Sequence, residues 1–401
     1  MSKIDHLLQQ HPEWPAVESI YHTLRQKGYK AFLAGGCVRD ALLGRLANDL
    51  DIATDATPDQ IEALFPKTIN VGKSFGVMRV LEKGEDIEVA TFRTDGDYKD
   101  GRRPEEVTFS SPEEDALRRD FTMNALFYDL EKKEVLDFVG GQEDISKQII
   151  RTVGEADKRF NEDHLRLLRA VRFTSQLNFK IDSNTFAAIQ NMNSQVKTVS
   201  GERLRDEWVK LLKGVYVETG LEVAVQSGMM KVLFPFRKED AAWNTKEAEL
   251  ANEAWMLLAL FLRSAPKADL ESALNTFKLS TKERRSIDEA WSTWQSPTTF
   301  TAQRWGEQLQ FLAKPGILFA LRILELEPNE LKLGGLLLAW ESMRETLPMA
   351  FLNGEDIKGQ LKGPEIGRCL QEAYNLQLED QLSDREAALK WLSEYLMEKS
   401  H

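Results

Sequence analysis

The sequence predicts an α+β domain at the amino-terminal end, followed by a longer region built only of helices. Up to about Ile150, short runs of β-forming residues alternate with turns and with amphipathic segments. After Gly154 the apolar residues recur at helical spacing, with almost no strand signal. The 401 residues, 42% hydrophobic and 29% charged, are enough for about two to four globular domains.

The first region contains five predicted strands and two predicted helices. The strands are expected at residues 29–34, 49–54, 76–81, 86–92 and 124–128. Amphipathic helices are expected at residues 16–27 and 58–64. Polar and apolar residues alternate in 49–54, so on a strand Asp49 and Asp51 would share one face while Leu50 and Ile52 enter the core.

The second region is predicted to be helical because its apolar residues are spaced three and four apart. The helices are expected at residues 161–176, 200–213, 217–227, 245–263, 282–293, 315–326, 335–346 and 385–398. Turn-forming residues separate several of these segments. No repeat of fixed period is found, which excludes a solenoid.

Composition and charge exclude several classes of protein. The longest uncharged apolar run, Ala254–Leu262, is far shorter than the roughly 20 residues that a membrane-spanning helix needs. The amino-terminal residues are polar where a signal peptide would be apolar, and the two cysteines, Cys37 and Cys369, allow one disulfide at most. We therefore expect a cytoplasmic protein without a membrane contact.

The net charge of -12 argues against a general binder of polyanions. Lysine and arginine nevertheless concentrate in residues 151–213, which carry twelve of them against eight carboxylates. Any contact with nucleic acid is expected to centre on this basic segment.

Asp49 and Asp51 are the first candidates for chemistry. Two carboxylates that converge on one point, with substrate phosphates as further ligands, are what Mg²⁺ binding needs. Alone, an Asp-x-Asp pattern is weak, because a solvated strand face explains most chance matches.

Gly35-Gly36 follows the apolar run 31–34, where a chain leaving a strand can offer backbone N–H groups to a phosphate. Arg39 follows one short turn later as a fixed positive charge. The alternative is a plain strand-to-helix turn in which Arg39 pairs with Asp40.

The combination of Gly35-Gly36, Arg39-Asp40 and Asp49-x-Asp51 resembles the nucleotidyltransferase signature of the DNA polymerase β superfamily. The form it takes here is that of bacterial class II tRNA nucleotidyltransferases and poly(A) polymerases. The likeness continues, in order, through further segments at residues 95–104 (a flexible loop), 117–125, 137–154, 161–173 and 202–214. It covers residues 30–214.

The resemblance implies a role for each matching residue. Asp49 and Asp51 would hold Mg²⁺, Arg119 would meet the triphosphate, and Asp120 would bind the ribose 2′-hydroxyl. Arg169 and Arg172 would contact the nucleotide. Glu88 is expected either as a third carboxylate near the metal or as one side of a salt bridge on its strand face.

Asp163 and Arg166 are the candidates for selecting the incoming base. A carboxylate accepts from an exocyclic amino group and a guanidinium donates to the adjacent ring nitrogen, which suits C and A but not G and U. On a single helix, Asp163, Arg166, Arg169 and Arg172 would form one polar ridge. Glu162 is expected to support the pair by hydrogen bonding, or to be an exposed residue near a helix end.

The resemblance implies a template-independent enzyme that adds or repairs the 3′-terminal CCA of tRNA with CTP and ATP. Three alternatives remain open from the sequence. They are an enzyme that adds only A, a poly(A) polymerase of the same family, and a non-catalytic RNA-binding protein. Residues 71–80 look more like the CCA type, although Phe75-Gly76-Val77 stands where CCA enzymes usually have His-Gly-Thr.

The resemblance also implies an elongated arrangement of a palm-like nucleotidyltransferase head and an all-α neck, body and tail. We expect the head at residues 1–150, the neck at 151–214, the body at 215–320 and the tail at 321–401. The tail would bind the tRNA elbow. No obligate protein partner is evident in the sequence.

Overall fold

The computed structural model describes residues 3–96, 107–237, 243–327, 331 and 333–399. The chain divides into two units, Met1–Ala241 and Ala242–His401. Most of the predicted flexible loop at 95–104 lies outside the described residues.

The first unit combines strands and helices. Its strands are β1 (Ala31–Ala34), β2 (Ile52–Thr54), β3 (Thr68–Gly72), β4 (Val77–Glu82), β5 (Glu85–Thr91), β6 (Arg93–Asp95), β7 (Val107–Phe109), β8 (Leu126–Asp129), β9 (Glu134–Asp137), β10 (Ile149–Ile150) and β11 (Lys180–Ile181). Its helices are α1 (Lys3–Gln9), α2 (Trp14–Gln26), α3 (Gly36–Leu42), α4 (Pro58–Leu64), α5 (Pro112–Arg118), α6 (Gly141–Ser146), α7 (Ala156–Glu162), α8 (Leu165–Leu177), α9 (Ser183–Met192), α10 (Gly201–Leu212), α11 (Val217–Gln226) and α12 (Met229–Leu233).

Among the described residues, seven strands form the main sheet in the order β3-β4-β5-β2-β1-β8-β9. The β2–β5 pair is parallel and the other pairs in this sheet are antiparallel. Leu33 of β1 is opposite Ile52 of β2, and Ala34 is opposite Phe127 of β8. The central strands therefore bring the ends of β1 and β2 together, where the Gly-Gly and Asp-x-Asp segments lie.

Three phenylalanines from the middle of the sheet form the centre of its core. The ring centroids of Phe32 and Phe92 are 6.0 Å apart, and those of Phe92 and Phe127 are 5.8 Å apart in an edge-to-face arrangement. Small buried residues, Ala34, Ala53 and Ala125 among them, surround the rings. Tilted and edge-to-face aromatic pairs pack favourably beyond their buried area, so this core holds the central strands in a fixed register.

The predicted strands and helices of the first region are all present. The helix at 58–64 has the predicted ends, and the ends of the others are shifted. The strand predicted at 49–54 is shorter than expected, because β2 begins only at Ile52. The Leu50 amide donates to the side chain of Glu13 rather than to a neighbouring strand. The predicted alternation is nevertheless confirmed, since Leu50 and Ile52 are both fully buried.

The helix predicted at 161–176 is wrong in one respect: the structure divides it into α7 and α8. Asp163 has an extended backbone, with φ of -148° and ψ of 105°. Its side chain accepts a hydrogen bond from the Leu165 amide at 3.0 Å, and its carbonyl accepts from the Arg166 amide. Aspartate competes for backbone amides in this way at helix ends. Asp163 is therefore not part of a continuous helical ridge with Arg166.

The second unit is helical throughout its described residues. Its helices are α13 (Thr245–Glu249), α14 (Ala254–Leu262), α15 (Lys267–Thr276), α16 (Thr281–Gln295), α17 (Pro297–Thr301), α18 (Trp305–Leu312), α19 (Pro315–Leu326), α20 (Gly334–Ser342), α21 (Pro364–Leu378) and α22 (Arg385–Lys399). The helix predicted at 245–263 is interrupted at residues 250–253. Ile357, Cys369 and Ala388 are at the centre of one of its apolar clusters.

The described helices include none long and apolar enough to cross a membrane. Both cysteines are buried free thiols. The four-part division into head, neck, body and tail stays a prediction.

Candidate active site

A cavity of about 720 Å³ opens in the first unit beside the ends of β1 and β2. It collects residues from the sheet, from the segment around Arg119, and from helices α8 and α10. All twelve candidate residues line it: Gly35, Gly36, Arg39, Asp49, Asp51, Glu88, Arg119, Asp120, Asp163, Arg166, Arg169 and Arg172. They come from positions up to 137 residues apart, so the fold alone brings them together.

Three carboxylates lie on the sheet side of the cavity. Asp49 and Asp51 immediately precede β2, and Glu88 lies on the parallel neighbour β5. Burial, together with the charges of Glu88 and Asp49, raises the pKa of Asp51 to about 7. Arg79, which is opposite Glu88 in the register, donates to Asp86 at 2.7 Å instead. Negative charge is therefore concentrated around Asp51.

Gly35 begins the turn from β1 into α3 with φ of +77°, which favours glycine. A Cβ atom there would lie 3.0 Å from the Arg119 Nη1 atom, so the site is also crowded. Arg39 is buried and donates to both oxygens of Asp40, at 3.0 and 2.8 Å, and to Asn124 Oδ1 at 2.6 Å. The alternative pairing of Arg39 with Asp40 is thus formed, and Arg39 lines the cavity as well.

Arg119 and Asp120 follow α5 and enter the cavity with different partners. Arg119 donates to the buried Asp115 at 3.1 Å and to the Asn124 carbonyl at 3.2 Å. Asp120 accepts from the Arg169 Nε and Nη2 atoms at 2.8 and 2.6 Å, from the Phe121 amide and from Asn124 Nδ2. Burial would raise the pKa of Asp120, but Arg169, together with Arg166 and Asn124, outweighs burial and lowers the pKa to about 2. Asp120 is therefore an anion at neutral pH.

The two candidate base-selecting residues are each held by a charged neighbour. Asp163 accepts from Arg203 Nη1 at 3.1 Å and from Nη2 at 2.6 Å, a bidentate pair with α10. Arg166 donates to Glu162 and to the Arg159 carbonyl, the latter at 2.8 Å. Glu162 also pairs with Arg159 at 2.8 Å. Both side chains are thus held by partners within the protein.

Helix α8 supplies two further cations that share one carboxylate of α10. Arg172 Nε lies 2.6 Å from Glu207 Oε2, and Arg169 Nη1 lies 3.5 Å from Oε1 of the same side chain. The guanidinium of Arg172 also stacks on Phe173, with its Cζ 3.7 Å from the ring centroid. Burial lowers the pKa of Arg172 to about 10, although Glu207 opposes the shift.

Comparison with known proteins identifies the family. Residues 31–151 match the poly A polymerase head domain, and residues 178–240 match the probable RNA and SrmB-binding site of polymerase A. The chain is 36% identical to the CCA-adding enzyme of Bacillus velezensis over 88% of this chain and 90% of that protein. The chain belongs to the CCA-adding enzyme family.

Two further members of the family differ in how much of the chain they match. The CCA-adding enzyme of Bacillus pumilus is 47% identical over 55% of each protein, so the alignment spans about half of that relative. The crystal structure of the Bacillus stearothermophilus CCA-adding enzyme in complex with CTP is 31% identical. It superposes with a TM-score of 0.80 over 98% of this chain and 99% of that chain.

Nucleotidyltransferases of this family generally use divalent metal ions. Among the described residues, no group of three His, Cys, Asp or Glu side chains is arranged to hold a metal ion unaided. Asp49 and Asp51 nevertheless offer the oxygen ligands that Mg²⁺ prefers. The pKa of Asp51 is raised first by burial and then by the charges of Glu88 and Asp49, and a cation would neutralise that charge. The donor set therefore fits an ion whose remaining ligands come from a bound nucleotide or water.

The sequence did not single out three residues that line this cavity in the CCA-adding fold, nor a fourth that contacts its arginines. Asn124 links Arg39 to Asp120, Arg203 holds Asp163, Glu207 holds two arginines, and Lys210 lines the cavity. Arg203, Glu207 and Lys210 are spaced four and three apart, a helical signal that places them on one face of α10. This polar face, on a helix whose other residues are largely apolar and buried, is the signal from which these residues could have been predicted.

Proposed function

We propose that the protein is a template-independent tRNA nucleotidyltransferase that adds or repairs the 3′-terminal CCA of tRNA. The substrates are CTP, ATP and a tRNA 3′ end, and the second product is pyrophosphate. One observation carries the proposal: a single cavity contains the carboxylates of Asp49 and Asp51, which could bind a metal ion, several arginines, and both Asp163 and Arg166. Relatives named CCA-adding enzymes favour this reaction over A-only and poly(A) addition.

In the proposed reaction the terminal ribose hydroxyl of the tRNA attacks the α-phosphorus of the nucleotide in line. The new O–P bond forms as the bond to the β-phosphate oxygen breaks, and the pair of electrons leaves with pyrophosphate. Asp49 and Asp51 would hold Mg²⁺, which when bound favours loss of the hydroxyl proton and neutralises the leaving group. Glu88 adds negative charge beside them.

The arginines of the cavity would bind and orient the nucleotide. Arg119 would contact the triphosphate, with Asp115 holding its side chain in place. Arg169 and Arg172 would contact the nucleotide from α8, and Gly35-Gly36 would let phosphate approach the backbone. Asp120 would accept from the ribose 2′-hydroxyl, next to the four hydrogen bonds that it already accepts.

Base selection would come from hydrogen-bonding polarity. Asp163 accepts and Arg166 donates, which matches the amino group and ring nitrogen shared by C and A. Arg203 and Glu162 fix the two side chains, so the protein itself would replace a nucleic-acid template. Their fixed geometry supports selection, because a base of opposite polarity would set an acceptor against Asp163 and a donor against Arg166.

The test is extension at single-nucleotide resolution with Mg²⁺, CTP and ATP. Three RNAs are compared: a tRNA lacking CCA, a tRNA ending in CC, and an unstructured oligoribonucleotide. We expect growth of the first by C, C and A with no further addition. Growth of only the second would make the protein an A-adding enzyme, and long A tails on all three would make it a poly(A) polymerase.

Asp49→Ala and Asp51→Ala serve as the controls for catalysis. Each should abolish addition while the protein still binds tRNA and stays folded. Full activity in either variant would overturn the metal role of that residue. Absence of any addition by the unaltered protein would leave the RNA-binding alternative. The cytoplasmic setting remains a prediction from the sequence.

A further inference from the structure

The backbone of Glu13 is fixed at the start of α2. Its carbonyl accepts from the amides of Ala16 and Val17, at 3.0 and 3.1 Å. Its own amide donates to His11 Nδ1 at 3.2 Å. The side chain that it projects therefore starts from a well-defined position.

The carboxylate of Glu13 reaches the peptide between Asp49 and Asp51. Its Oε2 atom accepts from the Leu50 amide at 2.9 Å, across 37 positions of sequence. The Leu50 side chain is only 1% exposed, so this peptide cannot shift without disturbing the core. The side chain of Glu13 is 23% exposed, which limits competition from water.

The same segment is also held by β1. The Asp51 carbonyl accepts from the Ala34 amide at 3.0 Å, just before β2 begins. Two hydrogen bonds thus fix the backbone that carries both carboxylates, one from the sheet and one from Glu13. Removing Glu13 would leave the Leu50 amide without its acceptor and free one side of the segment.

We propose that Glu13 is a positioning residue for nucleotidyl transfer, which it supports by holding the Leu50 amide and hence the Asp49 and Asp51 carboxylates. This inference rests on the proposed function. Glu13 is not among the described residues that line the cavity, so it acts on the segment that carries the two carboxylates and not on the substrate. Outer-shell partners of metal ligands typically change metal affinity or activity by roughly 10- to 100-fold when removed.

The experiment uses the full chain with Glu13→Ala, Glu13→Gln and the control Glu18→Ala. Glutamine keeps a carbonyl acceptor for the Leu50 amide but removes the charge. Glu18 is an exposed glutamate of α2 and lies five residues after Glu13. The kcat and the KM for CTP are measured for C addition to tRNA lacking CCA, over a range of Mg²⁺ concentrations.

A second readout follows the hydrogen bond itself. Hydrogen–deuterium exchange of a peptide that contains Leu50 is measured without metal or nucleotide. Glu13→Ala should speed exchange of that amide, while Glu13→Gln and Glu18→Ala should leave it protected. The melting temperature of each variant, taken in the same buffer, identifies any that fail to fold.

We expect Glu13→Ala to lower kcat by roughly 10- to 100-fold and to raise the Mg²⁺ requirement, with a smaller change in KM for CTP. Glutamine should restore most of kcat. Unchanged kcat in folded Glu13→Ala, or equal loss in the alanine and glutamine variants, would overturn the inference. If Glu13→Ala does not fold, loss of kcat or of Leu50 protection in folded Glu13→Gln would overturn it. If the unaltered protein adds no nucleotide, the proposed function fails instead.

Discussion

At the scale of single residues, the crowding of carboxylates around Asp51 makes the stability of the fold depend on pH. The pKa of Asp51 is raised from 3.8 to about 7 by burial, Glu88 and Asp49. Because the folded pKa lies above the unfolded one, folding favours the protonated form. The resulting stabilisation is present below pH 3.8 and is lost as the pH rises through about 7.

The first prediction follows from this loss of stability with rising pH. In EDTA, the melting temperature of the unaltered protein should fall relative to that of Asp51→Asn as the pH rises from about 5 to about 8. Asparagine cannot ionise, so the stability of the Asp51→Asn variant lacks this pH-dependent contribution. Differential scanning fluorimetry measures the difference, and Mg²⁺ with CTP should reduce it. Parallel pH curves for the two proteins would mean that Asp51 does not titrate in this range.

The second prediction concerns selection of the base. Arg166→Ala removes the proposed donor while Arg159 still pairs with Glu162. Discrimination of CTP and ATP against UTP and GTP should weaken by about 1–3 kcal/mol, measured as the ratio of kcat/KM values. Lys158→Ala, an exposed lysine of α7, is the control. Unchanged selectivity in Arg166→Ala would remove the base-reading role.

Residue types and spacing predicted which side chains have the chemistry, but not which partner holds each one. Asp163 and Arg166 were expected to work as a pair, and they line one cavity. Of their hydrogen-bond partners, Arg203 and Glu162, only Glu162 could be predicted from the sequence. Glu162 is a local neighbour and was foreseen, whereas Arg203 lies 40 residues away on a helix whose packing is a tertiary property.

At the scale of secondary structure, the contact between α8 and α10 contains an ion-paired cluster surrounded by apolar side chains. Glu207 of α10 is 4% exposed and faces Arg169 and Arg172 of α8. The apolar residues Leu204, Trp208 and Leu211 of α10 are buried around it. A carboxylate that balances two arginines in this setting cannot be removed without leaving buried positive charge.

The third prediction tests that contact. Glu207→Gln should lower the free energy of unfolding by about 3–5 kcal/mol, because breaking one side of a buried ion pair leaves the other uncompensated. Urea unfolding measures the change. Asp206→Asn on the same helix alters an exposed pair with Arg205 and should cost at most about 1 kcal/mol. Equal, small effects of both substitutions would show that Glu207 is not needed to balance the arginines.

Element types were predictable because apolar spacing is a local property, while element ends depended on single polar groups. The break between α7 and α8 occurs where Asp163 bonds to the Leu165 amide, which helical spacing does not reveal. Similarly, β2 starts late because Glu13 takes the Leu50 amide. In both places a side chain competes with regular backbone pairing, and in both the affected segment carries a candidate site residue.

At the scale of the whole molecule, the charge distribution bears on how a chain of net charge -12 would bind tRNA. Twelve lysines and arginines concentrate in residues 151–213. Many of them are already paired, as Arg166, Arg169, Arg172 and Arg203 are with Glu162, Asp120, Glu207 and Asp163. Few cations of this basic segment are then available for phosphates, so recognition of tRNA would depend on shape as well as charge.

The last prediction is a weak dependence of tRNA binding on salt. Each neutralised phosphate contributes about -0.7 (single strands) to about -0.9 (B-form DNA) to the slope of log K against log salt concentration, and for tRNA we expect a slope of about -2 to -4. Fluorescence anisotropy of labelled tRNA between about 50 and 200 mM KCl measures it. Lys210→Ala, which removes an exposed amine of the cavity, should reduce the slope by about 1, whereas Lys27→Ala outside the basic segment should not. A slope near -8, or equal effects of the two substitutions, would instead indicate general polyanion binding. In that case tRNA affinity would depend mainly on the number of phosphates and not on a few cations in fixed positions.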